Sequence, residues 1–276
     1  LAKEFGDVMN FKQIASFVKI EHTLFSLPFI LIGALLAGKP SAIQFVWIIV
    51  AAIGARGLAM GLNRIIDREI DAANPRTAKR HLASGSMSIR TAWILCMIFL
   101  IMLLIGAWQL NPLALKLSWL PVLAFVIYPY LKRFTWLCHW WLGICLALAP
   151  AGAWVGITGE ISSMDWWPEL FIISLGVMIW IASFDLGYAL MDIESDKENG
   201  VHSFPAKYGE RYTTIAMYSS IPLWGLCFAQ VSIIGALLSV IFTIIVLKGQ
   251  EDNFQKWWFN AHVSTGWILL IAMQLS

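Results

Sequence analysis

Apolar runs dominate this chain, and short polar stretches break them at intervals close to the thickness of a bilayer. Predominantly apolar segments occur at 23–38, 42–63, 91–109, 112–131, 138–157, 168–190, 211–228, 231–248 and 257–275. A helix needs about 20 such residues to cross the hydrocarbon core. The pattern therefore predicts an all-α polytopic membrane protein with nine transmembrane helices, forming a single domain over 1–276. The first span is short and interrupted by Pro28. Ahead of it, residues 8–20 mix Phe11, Ile14, Phe17 and Val18 with Lys12 and Lys19, the pattern of a helix lying on the membrane surface. Glu21 and His22 follow at the mouth of the first span.

Composition agrees with this reading. Of 276 residues, 59% are hydrophobic and 13% charged, with mean hydropathy +0.73. Soluble domains carry about 25% charged residues. Many of the 15 tryptophans lie near the ends of apolar runs, as interfacial anchors do. Cys96, Cys138, Cys145 and Cys227 fall in or beside apolar segments without C-x-x-C spacing, which predicts buried thiols rather than a disulfide framework or structural zinc. A net charge of +2 without a basic, aromatic-interleaved tract gives no support to nucleic-acid binding.

The few charges choose an orientation. With nine spans, one face receives Lys3, Lys12 and Lys19, then Arg64, Arg68, Arg76, Lys79, Arg80 and Arg90. Lys132, Arg133, Lys197, Lys207, Arg211, Lys248 and Lys256 follow on the same face. The other face has Lys39 and Lys116, and Arg56 lies inside a span. The positive-inside rule makes the basic face cytoplasmic, with the N-terminus inside and Ser276 outside; in a bacterium the membrane would be the inner one. The loops at 64–90 and 191–210 are the long ones on that face, and long loops in compact folds are commonly functional. Each is expected to cap a polar mouth. Span, acidic motif and basic loop recur in the same order in both halves, which suggests a pseudo-repeat with a three-helix extension.

The acidic motifs sit at the cytoplasmic ends of the second and sixth spans. Asn63, Asp67 and Asp71 are spaced i, i+4, i+8, and Asp185, Tyr188, Asp192 and Asp196 are spaced i, i+3, i+7, i+11. At 3.6 residues per turn each set stacks on one helix face. One such motif is commonly a solvated face. Two, both ending apolar helices in a charge-poor chain, are functional candidates, because polar clusters at membrane depth are costly. Carboxylates on one face repel one another unless a cation lies among them, and hard oxygen ligands suit Mg²⁺ shared with substrate phosphate. Arg76, Lys79, Arg80, Lys132, Arg133 and Lys197 lie nearby to clamp negative charge. The residues thus point to a Mg²⁺-dependent membrane enzyme acting on a diphosphate. Tyr128, Tyr130 and Tyr188 near the same mouth either face a developing carbocation or belong to the interfacial belt. P-loop, H-E-x-x-H and G-x-S-x-G sequences are absent, and the five histidines are scattered.

The two acidic motifs, the basic inner loops and the span count resemble the UbiA superfamily of intramembrane prenyltransferases. The stretches Asp71–Gly85 and Tyr128–Thr135 are similar to its 4-hydroxybenzoate polyprenyltransferase branch. The resemblance implies a ring of nine helices around a central cavity open to lipid. It implies that Asn63, Asp67, Asp71, Asp192 and Asp196 hold Mg²⁺ and that Arg76, Lys132, Lys197 and Tyr128 meet the polyprenyl diphosphate. Asp185 and Tyr188 would then sit where an aromatic acceptor meets the allylic carbon. The acceptor implied is 4-hydroxybenzoate, in quinone biosynthesis; a naphthoate, a haem or a lipid glycerol is the alternative within the same chemistry. A cation-coupled transporter is the alternative of another class, but transporter carboxylates lie near the bilayer midplane.

Arg56 bears on the acceptor. Seven residues before Asn63, it lies within about 20° of the same helix face and roughly 10 Å deeper. An Arg at that depth needs a partner: an ion pair or carbonyl cluster within the bundle, or the carboxylate of a small aromatic acid.

Overall fold

The computed structural model describes residues 11–19, 23–161, 169–249 and 253–275. Among these residues there is no strand. The helices are α1 (Phe11–Phe17), α2 (Thr23–Leu36), α3 (Ala42–Ile66), α4 (Arg68–Ala73), α5 (Ile89–Leu110), α6 (Pro112–Leu117) and α7 (Trp119–Leu131), then α8 (Cys138–Thr158), α9 (Glu169–Ala189), α10 (Ile193–Glu198), α11 (Phe204–Phe228), α12 (Ile233–Lys248) and α13 (Phe254–Leu275). Each predicted apolar segment is helical. Among the described residues five stretches are long and apolar enough to cross a membrane: Ala42–Ile66, Ile89–Leu110, Pro112–Leu131, Cys138–Thr158 and Glu169–Glu198. Two shorter apolar helices, Thr23–Leu36 and Ile233–Lys248, accompany them. Glu21, His22, residues 8–10 and Ser276 lie outside the described residues.

Two cores form. The first joins α1, α3, α5 and α7 through Phe17, Leu58, Leu62, Cys96, Phe99 and Phe125. The second joins α2, α9, α11 and α13 through Phe25, Phe29, Trp180, Trp224, Phe228 and Leu269. Neighbour packing runs α3–α5, α3–α7, α7–α8, α8–α9, α9–α11, α11–α12, α12–α13 and α13–α2, and α2 also packs on α8. The last contact links the two cores. It is close because Gly33 of α2 lies directly on the Pro150 backbone of α8.

Three local features differ from the expectation. Pro28 does not interrupt α2. Its missing N–H would leave the carbonyl of Leu24, one turn back, without its helical donor. The Trp267 indole of α13 donates to that carbonyl at 3.1 Å, so the partner helix replaces the lost bond. The segment before the first span is no free surface helix either. Phe17 is fully buried in the first core, and Arg64 Nε donates to the Phe17 carbonyl at 2.7 Å. Arg64, counted among the basic loop residues, is itself buried for this reason. Finally, α11 begins before its predicted start and bends at Gly209, whose φ of 79° is the left-handed region that glycine occupies without strain.

α3 presents two kinds of small residue. Gly54, Gly57 and Gly61 face α5, where a Cβ at Gly54 would run into the Leu103 nitrogen and the Phe99 carbonyl oxygen. Ala51, Ala52, Ala55 and Ala59 face a cavity instead. Backbone cannot move aside as a side-chain tip can, so Gly54→Ala should cost about 1–3 kcal/mol as overpacking. Thermal unfolding in detergent should drop measurably for Gly54→Ala, while Ala52→Gly stays close to wild type apart from a smaller helix-propensity loss of about 1 kcal/mol.

Candidate functional site

The site lies where α3, α7, α8 and α9 end on one side. α3 closes at Ile66, and Asp67 (φ −90°, ψ 9°) joins it to α4. The break is slight. Asp67 N–H still donates to Asn63 and Asp71 N–H to Asp67, at 2.9 and 2.8 Å, so the first motif keeps one face. The second motif turns further. After α9 the chain tightens into a 3₁₀ turn over Leu190–Asp192 before α10. Three residues at 3.0 rather than 3.6 per turn rotate the face by roughly 60°. Asp192 and Asp196 are consequently turned out of line with Asp185 and Tyr188, which precede the turn on α9.

Asp67 is 2% exposed. Its Oδ2 accepts from Asn63 Nδ2 at 3.0 Å and from Lys132 Nζ at 2.7 Å. Its Oδ1 accepts from Arg133 Nη1 at 3.1 Å. Burial alone would lower the Lys132 pKa, but the facing Asp67 carboxylate outweighs it and holds the ammonium above the usual lysine range. The Tyr128 ring backs this ammonium at 4.8 Å. Asp71, also buried, accepts from Arg80 Nη1 at 2.7 Å.

The cap loop carries the first motif to the second. Asn74 accepts the Arg76 N–H on its Oδ1 at 2.9 Å, an Asx turn, and its Nδ2 donates to Asp192 Oδ1 at 2.9 Å. Arg76 then grips Asp192 with both arms, Nε to Oδ1 at 2.8 Å and Nη2 to Oδ2. Leu82 and Met87, farther along the loop, are buried in the first core and hold it down.

The remaining predicted residues are more dispersed. Asp185 bonds His139 Nδ1 at 2.7 Å. The Tyr188 side chain lies beside Gln255 at the start of α13 and its ring packs on Phe184, with centroids 4.7 Å apart. Asp196 is buried beside the Ser203 hydroxyl. Lys197 is exposed on α10. Arg56 lies two turns below Asn63 and lines a cavity of about 240 Å³, otherwise almost wholly apolar, bounded by residues of α2, α3, α5, α6, α7 and α8. Among the described residues no three acidic, His or Cys side chains converge on one point as a metal set, because the carboxylates are turned towards guanidinium and ammonium groups instead. The donors nevertheless suit a hard cation: buried Asp67, Asp71 and Asp196, half-buried Asp192, and the carboxamides of Asn63 and Asn74.

Residues 26–263 match the UbiA prenyltransferase family. The chain belongs to that family. It is 26% identical over 238 residues to a 4-hydroxybenzoate octaprenyltransferase of Vibrio campbellii, covering 86% of this chain and 73% of that one. It is 31% identical over 172 residues to the Vibrio atlanticus protein of the same name, covering 62% of this chain and 59% of that protein's length. A solved UbiA homologue from Aeropyrum pernix K1 superposes with a TM-score of 0.83 at 32% identity, covering 93% of this chain and 98% of that one. A UbiA homologue from Archaeoglobus fulgidus, bound to GPP and Mg²⁺, shares the fold, with a TM-score of 0.65 at 18% identity over 94% of this chain and 99% of that one. The family named from the acidic motifs is thus the family found.

Asn74 and His139 of this site were not among the candidates read from the sequence. Asn74 had a signal, since Asn before Pro marks a turn. Arg133 was among them as a clamp for negative charge, but its part in the packing was not read. It also donates Nη1 to the Pro129 carbonyl and Nη2 to the Ile66 carbonyl, both at 2.8 Å, so one guanidinium covers the carbonyl ends of α3 and α7 and a face of Asp67. Removing it strands buried acceptors. Arg133→Met should destabilise the protein by about 2–3 kcal/mol, the scale for hydrogen bonds to charged groups. Arg68→Ala, which opens only an exposed pair with Glu69, should cost under about 1 kcal/mol. Equal losses in thermal unfolding would contradict this ranking.

Proposed function

We propose that this protein transfers a prenyl group from a polyprenyl diphosphate to a small aromatic acid, with 4-hydroxybenzoate as the acceptor, in quinone biosynthesis. The observation that carries the reading is the pairing at the mouth, where Asp67 faces Lys132 and Arg133, Asp71 faces Arg80, and Asp192 faces Arg76. Each pair holds one partner for a diphosphate and one for a divalent cation. Asn63, Asp67, Asp71, Asp192 and Asp196 would hold Mg²⁺, and Arg76, Arg80 and Lys132 would serve the phosphate oxygens. The metal, when bound, supplies positive charge against which the diphosphate leaves. Arg76 presents a planar fork to the same group, which suits phosphate geometry. Lys132 is kept charged by its setting and so adds a fixed positive charge; Lys197 on the exposed face of α10 would meet the diphosphate as it arrives. The names of the Vibrio relatives and the GPP and Mg²⁺ of the Archaeoglobus homologue support the substrate class.

The same proposal includes nine spans, with the mouth and N-terminus cytoplasmic and the C-terminus outside, on the distribution of Lys and Arg. The apolar cavity below the mouth receives the prenyl chain. Asp185 and Tyr188 would sit where the ring carbon ortho to the hydroxyl attacks the allylic carbon as the bond to the diphosphate oxygen breaks. The ring then loses its proton, for which the Asp185 carboxylate is the base.

Asp67→Ala and Asp192→Ala should each lower turnover a hundredfold or more, the scale for lost charge stabilisation, and EDTA should abolish it reversibly. Near-normal product formation in EDTA or in either variant, measured with geranyl diphosphate and 4-hydroxybenzoate, would sink the shared-cation site.

Arg56 carries the acid part of the proposal. Set in an apolar cavity, it is the side chain there suited to a carboxylate. Arg56→Ala should raise KM for 4-hydroxybenzoate about tenfold or more, on the scale of a lost charge-assisted bond of about 1.5–3 kcal/mol, and leave prenyl diphosphate binding little changed. The methyl ester should lose less than the acid. Equal losses for acid and ester would remove the assignment, and a hydroxynaphthoate outperforming 4-hydroxybenzoate in the same panel would transfer it to the larger ring.

A further inference from the structure

His139 is the second residue of α8 and is 3% exposed. Both ring nitrogens are engaged. Nδ1 lies 2.7 Å from Oδ2 of Asp185, and Nε2 accepts the backbone N–H of Phe204 at 3.1 Å. A backbone amide only donates, so Nε2 carries no proton. The proton of the ring is then on Nδ1, donated to Asp185.

Phe204 opens α11, and a helix N-terminus leaves its first N–H groups without intrahelical partners. The N-cap Ser203 side chain takes the N–H of Ala206, and His139 takes that of Phe204. The adjoining loop is held from the other side as well. His202 N–H donates to the Lys132 carbonyl at 2.7 Å, and the Lys132 ammonium holds Asp67. One short loop therefore bridges the residue holding the first acidic motif and the residue holding Asp185.

We propose that His139 is a positioning residue: its Nδ1–H fixes the Asp185 carboxylate, and its Nε2 anchors that pair to the start of α11 and hence to Lys132. The inference rests on the reading of Asp185 as a catalytic group and deepens it. With Nε2 committed to an amide hydrogen, the ring has no site from which to pass a proton onward, so it orients Asp185 rather than relaying for it. An orienting role needs a donor and an acceptor on neighbouring atoms of the side chain. A carboxamide has both, whereas an apolar side chain that merely fills the space has neither.

The test uses the full-length protein in detergent with His139→Leu, His139→Gln and Asp185→Asn. His139→Leu should lower kcat about tenfold or more, since small misplacements of a reacting group cost that much, with the Kd for prenyl diphosphate within about twofold of wild type. His139→Gln should restore kcat to within a few-fold. A fully active Leu variant overturns the proposal. So does a Gln variant as inactive as Leu, or a Leu variant that loses diphosphate binding and thermal stability together with activity. The tautomer is read without turnover, by ¹⁵N imidazole shifts on histidine-labelled protein, in which only five histidines contribute. His139 should be protonated on Nδ1 alone, and Asp185→Asn should shift that signal. A ring protonated on Nε2, or on both nitrogens, overturns the proposal whatever the activity. Nδ1 protonation in a protein that transfers no prenyl group to any acceptor supports the positioning and overturns the reaction assigned above.

Discussion

Buried negative charge at the end of a membrane bundle is the constraint on which the rest of this structure depends. A carboxylate as enclosed as Asp67 is untenable alone. Its partners come from the far end of α7, about a bundle's width away in the chain: Lys132 and Arg133. Asp192 is satisfied in the reverse direction, by Asn74 and Arg76 from the loop that follows the first motif. The Asp192 pairs tie the second acidic motif to the loop after the first, while Asp71 is met from within its own loop by Arg80.

Beneath this polar mouth the physics reverses. Two aromatic and aliphatic cores hold the helices, and the irregular points are repaired by neighbours rather than by water: Trp267 at the carbonyl exposed by Pro28, Arg133 at the ends of α3 and α7. In hydrocarbon an unmet backbone group has no solvent to turn to. α3 serves two surfaces at once. Its glycines allow α5 to approach backbone to backbone, while Ala52, Ala55, Ala59 and Arg56 line the cavity, which α5 also borders.

Most of the architecture was legible because the signals for it are local. A long run of apolar residues favours a helix, and each predicted apolar segment is helical to within a few residues, except that 112–131 is divided into α6 and α7 and α11 starts early and bent. The acids of the candidate site were legible for the same reason: i, i+4 spacing is a property of one helix. The family followed from those motifs and from the loops beside them.

Pairings across the chain were not legible in this way. Nothing near His139 in sequence announces Asp185, which is 46 residues away, and a lone histidine at the end of a span reads as one of several scattered ones. Arg133 and Lys132 are adjacent and equally basic, yet one bridges two helix ends while the other holds Asp67 from above. The spacing of Asp185, Tyr188, Asp192 and Asp196 suggested a single face, but their side chains meet α8, α13, the first cap loop and Ser203, and the 3₁₀ turn at Leu190–Asp192 sets the last two apart from the first two. Hydrophobicity and helical period act over a few residues, so the sequence alone determined the helices, their polar ends and the residue types gathered there. Which cation meets which carboxylate depends on how those ends pack, and only the tertiary structure decided it, because an ion pair is specified by distance in space and not by separation along the chain.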